Sequence, residues 1–182
     1  MTTTRPWSSN LIFVDCEAFG PCPSRGRLSE FGAVTFDDCE NPADEEHHGL
    51  LLPEKKLTSR FMDEGREALH SVDEGEFSAR LIIIFTAFDE WLRSKVNGQP
   101  VFVSDNPAWD WQWITDGFHR GIGRNPFGHS GRRIGDYYAG LVGNFRRTQE
   151  WKRLRATKHD HHPVHDARGN KEALKRLLAG ER

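Results

Sequence analysis

Two acidic residues, Asp15 and Glu17, follow directly on an apolar run, residues 11–14, that predicts a buried β-strand. Residues i and i+2 of a strand point to the same side, so these two carboxylates should lie together while Cys16 points away. Paired buried carboxylates raise one another's pKa unless they share a cation, and oxygen ligands suit Mg²⁺ or Mn²⁺. The pair therefore predicts the start of a metal site.

Three further residues with suitable chemistry lie far along the chain. Asp110 ends the segment Asn-Pro-Ala-Trp-Asp, and His161 stands five residues before Asp166. A carboxylate can add to a cation site, and a histidine titrates near neutral pH, which suits proton transfer. Asp166 stands where the last helix should begin, so a metal ligand, an N-cap or both are open for it.

Composition limits the class of protein. The chain has 182 residues and a net charge of -2, with a mean hydropathy of -0.69. This predicts a single domain, and no apolar stretch approaches the ~20 residues of a membrane span. Three cysteines without a C-x-x-C spacing, and an N-terminus without an apolar signal segment, predict free thiols and a cytoplasmic location.

Charge is unevenly distributed. Ten lysines and arginines lie between Arg120 and Lys158, against only Asp136 and Glu150. Such a segment could follow a phosphate backbone, and the alternative is an ordinary solvated surface. An acidic block at residues 37–46 is interpreted as a solvated loop.

Hydrophobic periodicity predicts an α/β fold. Strands are expected at residues 11–14, 27–36, 48–53 and 101–104, and helices at 73–96, 109–118, 134–142 and 166–178. Three consecutive strands with short connections indicate an antiparallel meander. The later alternation of helix and strand indicates a mixed sheet covered by helices.

Together these motifs resemble the DEDDh family of 3′–5′ exonucleases, and within it the RNase T-like exoribonuclease branch. The family's Asp-x-Glu matches residues 15–17, and its Asn-x-x-aromatic-Asp matches residues 106–110. Its third motif, a histidine five residues before an aspartate, matches His161 and Asp166. The resemblance implies a ribonuclease H-like fold, with residues 1–182 forming a single exonuclease domain.

The resemblance also implies the metal chemistry. Asp15, Glu17 and Asp166 would hold one divalent ion, and Asp15 with Asp110 would hold a second, both of them Mg²⁺ or Mn²⁺. Two such ions stabilise the attacking and leaving oxygens of a phosphoryl displacement. His161 would accept the proton of the attacking water.

The implied substrate is single-stranded RNA or DNA with a free 3′ end, cut to nucleoside 5′-monophosphates. Glu17 and the backbone at Ala18 would hold the terminal 3′-hydroxyl, Phe19 would stack on a base, and Arg146 with Arg147 would contact phosphates. The residues around the second and third motifs favour RNA, with single-stranded DNA as the alternative. No membrane partner is expected, and a homodimer is left open.

Several alternatives compete with this interpretation. Asp105 could replace Asp110 in the second motif, or could simply cap a turn. The crowded histidines His159, His161, His162 and His165 could bind zinc. A non-catalytic nucleic-acid-binding domain and a phosphoesterase acting on a small nucleotide are the alternative functions.

Overall fold

One mixed β-sheet organises the computed structural model, which describes residues 8–37, 45–49 and 73–182. Its five strands are β1 (Leu11–Phe19), β2 (Arg27–Thr35), β3 (Glu45–Gly49), β4 (Val101–Ser104) and β5 (Gly131–Arg133). They lie in the order β3-β2-β1-β4-β5. β2 pairs antiparallel with β1 and β3, whereas β4 pairs parallel with β1 and β5. The predicted α/β class with a mixed sheet is confirmed.

Helices flank the sheet. In the described ranges the α-helices are α1 (Glu74–Lys95), α2 (Pro107–Ile122), α3 (Ile134–Leu141) and α4 (Pro163–Leu178). A 3-10 helix, Glu150–Leu154, lies between α3 and α4. All four α-helices were expected, with ends that differ by a few residues. None of them is long and apolar enough to span a membrane.

Strand β1 is the centre of the fold and is buried on both faces. Ile12, Val14 and Cys16 belong to the apolar core with residues of α1 and α2. Leu11 and Phe13 belong to a second core with residues of α3 and α4. Asp15 and Glu17 continue the second series, because side chains alternate along a strand. The two carboxylates therefore emerge on the α4 side of the sheet.

Two strands differ from the prediction. β1 extends to Phe19 rather than ending at residue 14, because β2 pairs with it along the whole length, with a register shift between Glu17 and Ala18. β5 was not expected, since Gly-Arg-Arg carries no apolar pattern, and it forms through parallel pairing with β4. β3 covers 45–49 instead of 48–53. Residues 50–53, and residues 38–44 of the acidic block, lie outside the described part of the chain.

Gly32 brings helix α4 to the centre of the sheet. Gly32 pairs with Asp15 across the β1–β2 ladder. A Cβ atom at this position would lie 2.5 Å from the backbone nitrogen of Val164, in the first turn of α4. The missing side chain thus lets the start of α4 pack directly against the strand pair, beside Asp15.

Helix α4 begins three residues earlier than predicted. Its N-cap position is His162, and Asp166 lies in the first turn, where its backbone N–H donates to the His162 carbonyl at 3.0 Å. The N-cap alternative for Asp166 is therefore wrong. The side chain of Asp166 instead points into the protein and is 1% exposed.

Candidate active site

Three carboxylates converge where β1 meets the start of α4. Oxygen atoms of Asp15, Glu17 and Asp166 all lie within 4.8 Å of one another. Alternation along β1 places the first two on one face, and the first turn of α4 adds the third. Residues separated by up to 151 positions in the sequence are therefore close enough to share one cation.

Burial and repulsion make this cluster unfavourable when it is fully ionised. The pKa of Asp15 is raised well above its usual value, first by burial and then by the charges of Asp110, Asp166 and Glu17. Burial also raises the pKa of Glu17, against the opposing effect of His161. A divalent cation would offset both burial and repulsion at neutral pH.

The hydrogen bonding of the Asp166 oxygens tests independently whether the site suits a metal ion. Both are buried, and neither accepts a hydrogen bond from the described residues. His159 Nδ1 approaches Oδ2 to 2.6 Å, without the alignment of a hydrogen bond. A buried carboxylate that accepts no hydrogen bond is costly, and an all-oxygen set is what Mg²⁺ and Mn²⁺ prefer. The residues present therefore fit a hard divalent cation.

Asp110 lies beside this cluster rather than within it. It stands in the first turn of α2, is buried, and accepts hydrogen bonds on Oδ1 from the Cys16 backbone N–H and from Cys16 Sγ, each at 3.3 Å. Burial, with a contribution from Asp105, raises the pKa of Asp110 to about 7. Asp110 is not part of the carboxylate group, although its charge acts on Asp15.

Asp105 has a different environment. Its Oδ2 lies 2.5 Å from Lys152 Nζ and 3.7 Å from Arg155 Nη2. Two cations therefore already compensate Asp105, whereas Asp110 contacts the strand that carries Asp15 and Glu17.

His161 is held against the cluster in an unusual backbone conformation. Its φ of 60° lies in the left-handed region, which costs energy for a residue other than glycine. Its Nδ1 lies 3.2 Å from Glu17 Oε1. Asp160 supports this turn by accepting hydrogen bonds from the His162 backbone N–H at 3.1 Å and from His165 Nδ1 at 2.9 Å. The ring of His165 is thus engaged outside the cluster.

The expected substrate contacts are placed unevenly. Ala18 is buried, and Phe19 is only 5% exposed. Little of the Phe19 ring is therefore available for base stacking in this conformation. Arg146 is exposed, and Arg147 forms a salt bridge with Glu150, with its Nε 2.7 Å from Oε1.

Six of the ten basic side chains between Arg120 and Lys158 form salt bridges with carboxylates of the described residues. The pairs are Arg120 with Glu74, Arg124 with Asp89, Arg133 with Asp136, Arg147 with Glu150, and both Lys152 and Arg155 with Asp105. In four of these six pairs the carboxylate belongs to α1 or is Asp105, directly after β4. The ten positive charges of this segment are therefore partly compensated, and its contact with a phosphate backbone stays a prediction.

Arg155 is a residue near the site that the sequence did not single out. Its side chain is 8% exposed and packs over the ring of Trp151 at 5.0 Å. Its Nη2 donates to Asn170 Oδ1 at 2.5 Å, and its charge lowers the pKa of Asp15. A Cβ at Gly169 would lie 3.2 Å from Arg155 Cδ. In the sequence, Gly169 and Asn170 inside the predicted last helix could have indicated that a side chain packs against that helix.

Comparison with known proteins adds one finding of similarity. No family model matches the chain. The chain is 28% identical over 185 aligned positions to the 3′-5′ DNA exonuclease Cap18 of Escherichia coli, and the alignment covers 90% of this chain and 89% of the relative. The similarity therefore extends over nearly the full length of both proteins.

Proposed function

We propose that this chain is a metal-dependent 3′–5′ exonuclease that hydrolyses single-stranded nucleic acid to nucleoside 5′-monophosphates. The observation that carries the proposal is the convergence of Asp15, Glu17 and Asp166 within 4.8 Å, with His161 against Glu17. The similarity to Cap18, a 3′-5′ DNA exonuclease, supports the type and direction of the reaction.

The metal assignment follows from the placement of the carboxylates. Asp15, Glu17 and Asp166 would hold one Mg²⁺ or Mn²⁺ ion. Asp110, whose charge acts on Asp15, would contribute to a second ion together with Asp15. When bound, such a pair of ions activates a nucleophile and stabilises the attacking and leaving oxygens of a phosphoryl displacement.

His161 would be the proton acceptor. When Nδ1 carries a proton and donates it to Glu17 Oε1, at the observed 3.2 Å, the other ring nitrogen, Nε2, is left as the basic atom. Glu17 would therefore fix the tautomer of the imidazole as well as contribute an oxygen ligand. The His161 side chain is 42% exposed, which leaves it accessible to a water molecule and to the substrate.

Recognition of the 3′ end is assigned to Glu17 and the backbone at Ala18. A site that binds a terminal hydroxyl at the edge of the carboxylate cluster cannot engage an internal phosphate equally well. Digestion should accordingly require a free 3′-hydroxyl.

Substrate chemistry has two candidates. The similarity to Cap18 favours DNA, whereas the residues around the second and third motifs favour RNA. We take single-stranded DNA as the first candidate because the similarity to Cap18 covers nearly the whole chain. RNA remains the second.

The decisive experiment follows matched, 5′-labelled DNA and RNA strands with Mg²⁺ or Mn²⁺, each with a free or a phosphorylated 3′ end, and identifies the released nucleotides by chromatography. Circular strands and mononucleotides are tested as substrates alongside them. We expect stepwise shortening and release of 5′-monophosphates from the free ends only. Equal cleavage of circular or 3′-blocked strands would identify an endonuclease. Binding without hydrolysis would identify a non-catalytic domain, and hydrolysis of mononucleotides alone would identify a small-nucleotide phosphoesterase.

A further inference from the structure

A second group of metal-ligating side chains overlaps the carboxylate cluster. Nitrogen atoms of His159 and His161 and an oxygen of Asp166 all lie within 4.8 Å of one another. Asp166 belongs to both groups, whereas the two histidines approach it from the solvent side.

The contacts within this group are close. His159 Nδ1 lies 2.6 Å from Asp166 Oδ2, and the centroids of the two imidazole rings are 4.4 Å apart. Asp166 is 1% exposed, and both of its oxygens are without hydrogen-bond donors among the described residues. A buried carboxylate whose oxygens accept no hydrogen bond from the described residues therefore lies beside two imidazoles.

This donor set differs in kind from the carboxylate cluster. Two imidazoles and one carboxylate are typical ligands of Zn²⁺, with a water in the fourth position, whereas Mg²⁺ prefers oxygen ligands. We propose that His159, His161 and Asp166 form an inhibitory zinc site that shares Asp166 with the catalytic cluster.

The geometry requires only a small adjustment. Two ligand atoms of one tetrahedral zinc are about 3.3 Å apart, given Zn–N bonds of ~2.0–2.1 Å. This exceeds the 2.6 Å between His159 Nδ1 and Asp166 Oδ2. The His159 side chain is 51% exposed, so it can rotate outward without disturbing the core.

Inhibition follows from which atoms zinc would occupy. Bound zinc would take an oxygen of Asp166 from the oxygen-ligand site and would draw His161 away from Glu17. The catalytic metal would lose a ligand, and His161 would lose the contact with Glu17 that leaves Nε2 as the basic atom. This consequence rests on the proposed function, whereas the binding of zinc does not.

The neighbouring histidines provide a matched control. His165 Nδ1 donates to Asp160 Oδ2 at 2.9 Å, and the His165 ring stacks on His162, with ring centroids 4.2 Å apart. Neither His162 nor His165 belongs to the His159 group. His165→Ala therefore removes an imidazole from the same segment without removing a proposed ligand.

The binding experiment titrates Zn²⁺ into the full-length protein by calorimetry, in millimolar Mg²⁺, for the parent, His159→Ala and His165→Ala. Losing even an outer partner of a metal ligand weakens binding roughly 10–100-fold. We therefore expect at least about tenfold weaker zinc binding in His159→Ala and near-parental binding in His165→Ala. Equal zinc affinity in the parent and in His159→Ala, or no zinc binding by the parent, would overturn the site.

The activity experiment compares each variant with itself, as the ratio of turnover with and without Zn²⁺ at constant Mg²⁺. Zinc should inhibit the parent and His165→Ala, and His159→Ala should require at least about tenfold more zinc for the same inhibition. His159-dependent zinc binding in a protein without nuclease activity would refute the proposed function and leave the site intact. Zinc binding without inhibition of an active nuclease would refute the inhibitory role.

Discussion

The imidazole Nδ1 of His161 lies 3.2 Å from Glu17 Oε1, although 144 positions separate the two residues in the sequence. The contact joins the end of the central strand to the turn before α4. It therefore connects the proposed proton acceptor to a proposed metal ligand and fixes the orientation of the imidazole.

His161→Ala should lower turnover roughly 10²–10⁴-fold, the usual contribution of a general base, because it removes the proposed proton acceptor. Binding of Mn²⁺, measured by calorimetry, should persist, since the three carboxylates are unchanged. His165→Ala is the control and should have a small effect, because that ring contacts Asp160. A severe loss in His165→Ala with a mild one in His161→Ala would show that the third motif is assigned to the wrong histidine.

Asp15→Asn should abolish turnover while the protein stays folded. The substitution removes a carboxylate that is proposed to bind both metal ions. It also removes one of the charges that repel Asp110, Asp166 and Glu17. In EDTA we therefore expect the melting temperature of Asp15→Asn to equal or exceed that of the parent, as measured by calorimetry. Parent protein that kept full turnover after EDTA treatment would contradict a metal mechanism.

Asp110→Asn should change how stability depends on pH. Burial raises the pKa of Asp110 to about 7 from 3.8, so the folded state binds this proton more tightly than the unfolded state does. The protonated Asp110 carboxyl therefore contributes fully to the unfolding free energy below about pH 4. This contribution is lost as the pH rises through about 7.

Urea unfolding in EDTA at pH 5 and pH 8 checks this expectation. The parent should lose more stability between the two pH values than Asp110→Asn, by on the order of 1 to a few kcal/mol. Asparagine keeps an oxygen that can accept the Cys16 N–H. Parallel pH profiles for the two proteins would rule out Asp110 as the titrating group.

Gly32→Ala should impair both stability and activity. The added Cβ would lie 2.5 Å from the Val164 backbone nitrogen, and a backbone atom cannot move aside without shifting α4 and with it Asp166. We expect a destabilisation of roughly 1–3 kcal/mol in urea unfolding, as for overpacked cores, and a loss of turnover. Gly140→Ala in α3 is the control, because nothing lies within 4 Å of its Cβ position. Equal stability of the two variants would contradict the close packing of α4 on β2.

Arg146→Ala should weaken binding of single strands more than Arg147→Ala does. Arg146 is exposed, whereas Arg147 is engaged by Glu150. If Arg146 contacts a phosphate, its loss should weaken binding similarly for all sequences and reduce the slope of affinity against salt by about one. Fluorescence anisotropy at several salt concentrations measures both effects. An unchanged slope in Arg146→Ala would remove this residue from the interface.

The sequence by itself determined the local elements and the chemistry available on them. Alternation along residues 11–17 placed Asp15 and Glu17 on one face of a buried strand, and helical periodicity located α1 to within a residue at each end. The order of the carboxylates and of His161 indicated the type of reaction. The predictions of strand and helix succeeded because strand and helix periodicity depend on neighbouring residues alone.

Only the tertiary structure decided which distant groups meet. It placed Asp110 against Cys16, buried Arg155 between Asp105 and Asn170, and brought His159 to Asp166. It also paired Arg120 and Arg124 with carboxylates of α1, and Lys152 and Arg155 with Asp105 at the end of β4. Charge compensation and the sharing of ligands depend on distances in space, and those distances are set by the packing of the helices on both faces of one sheet.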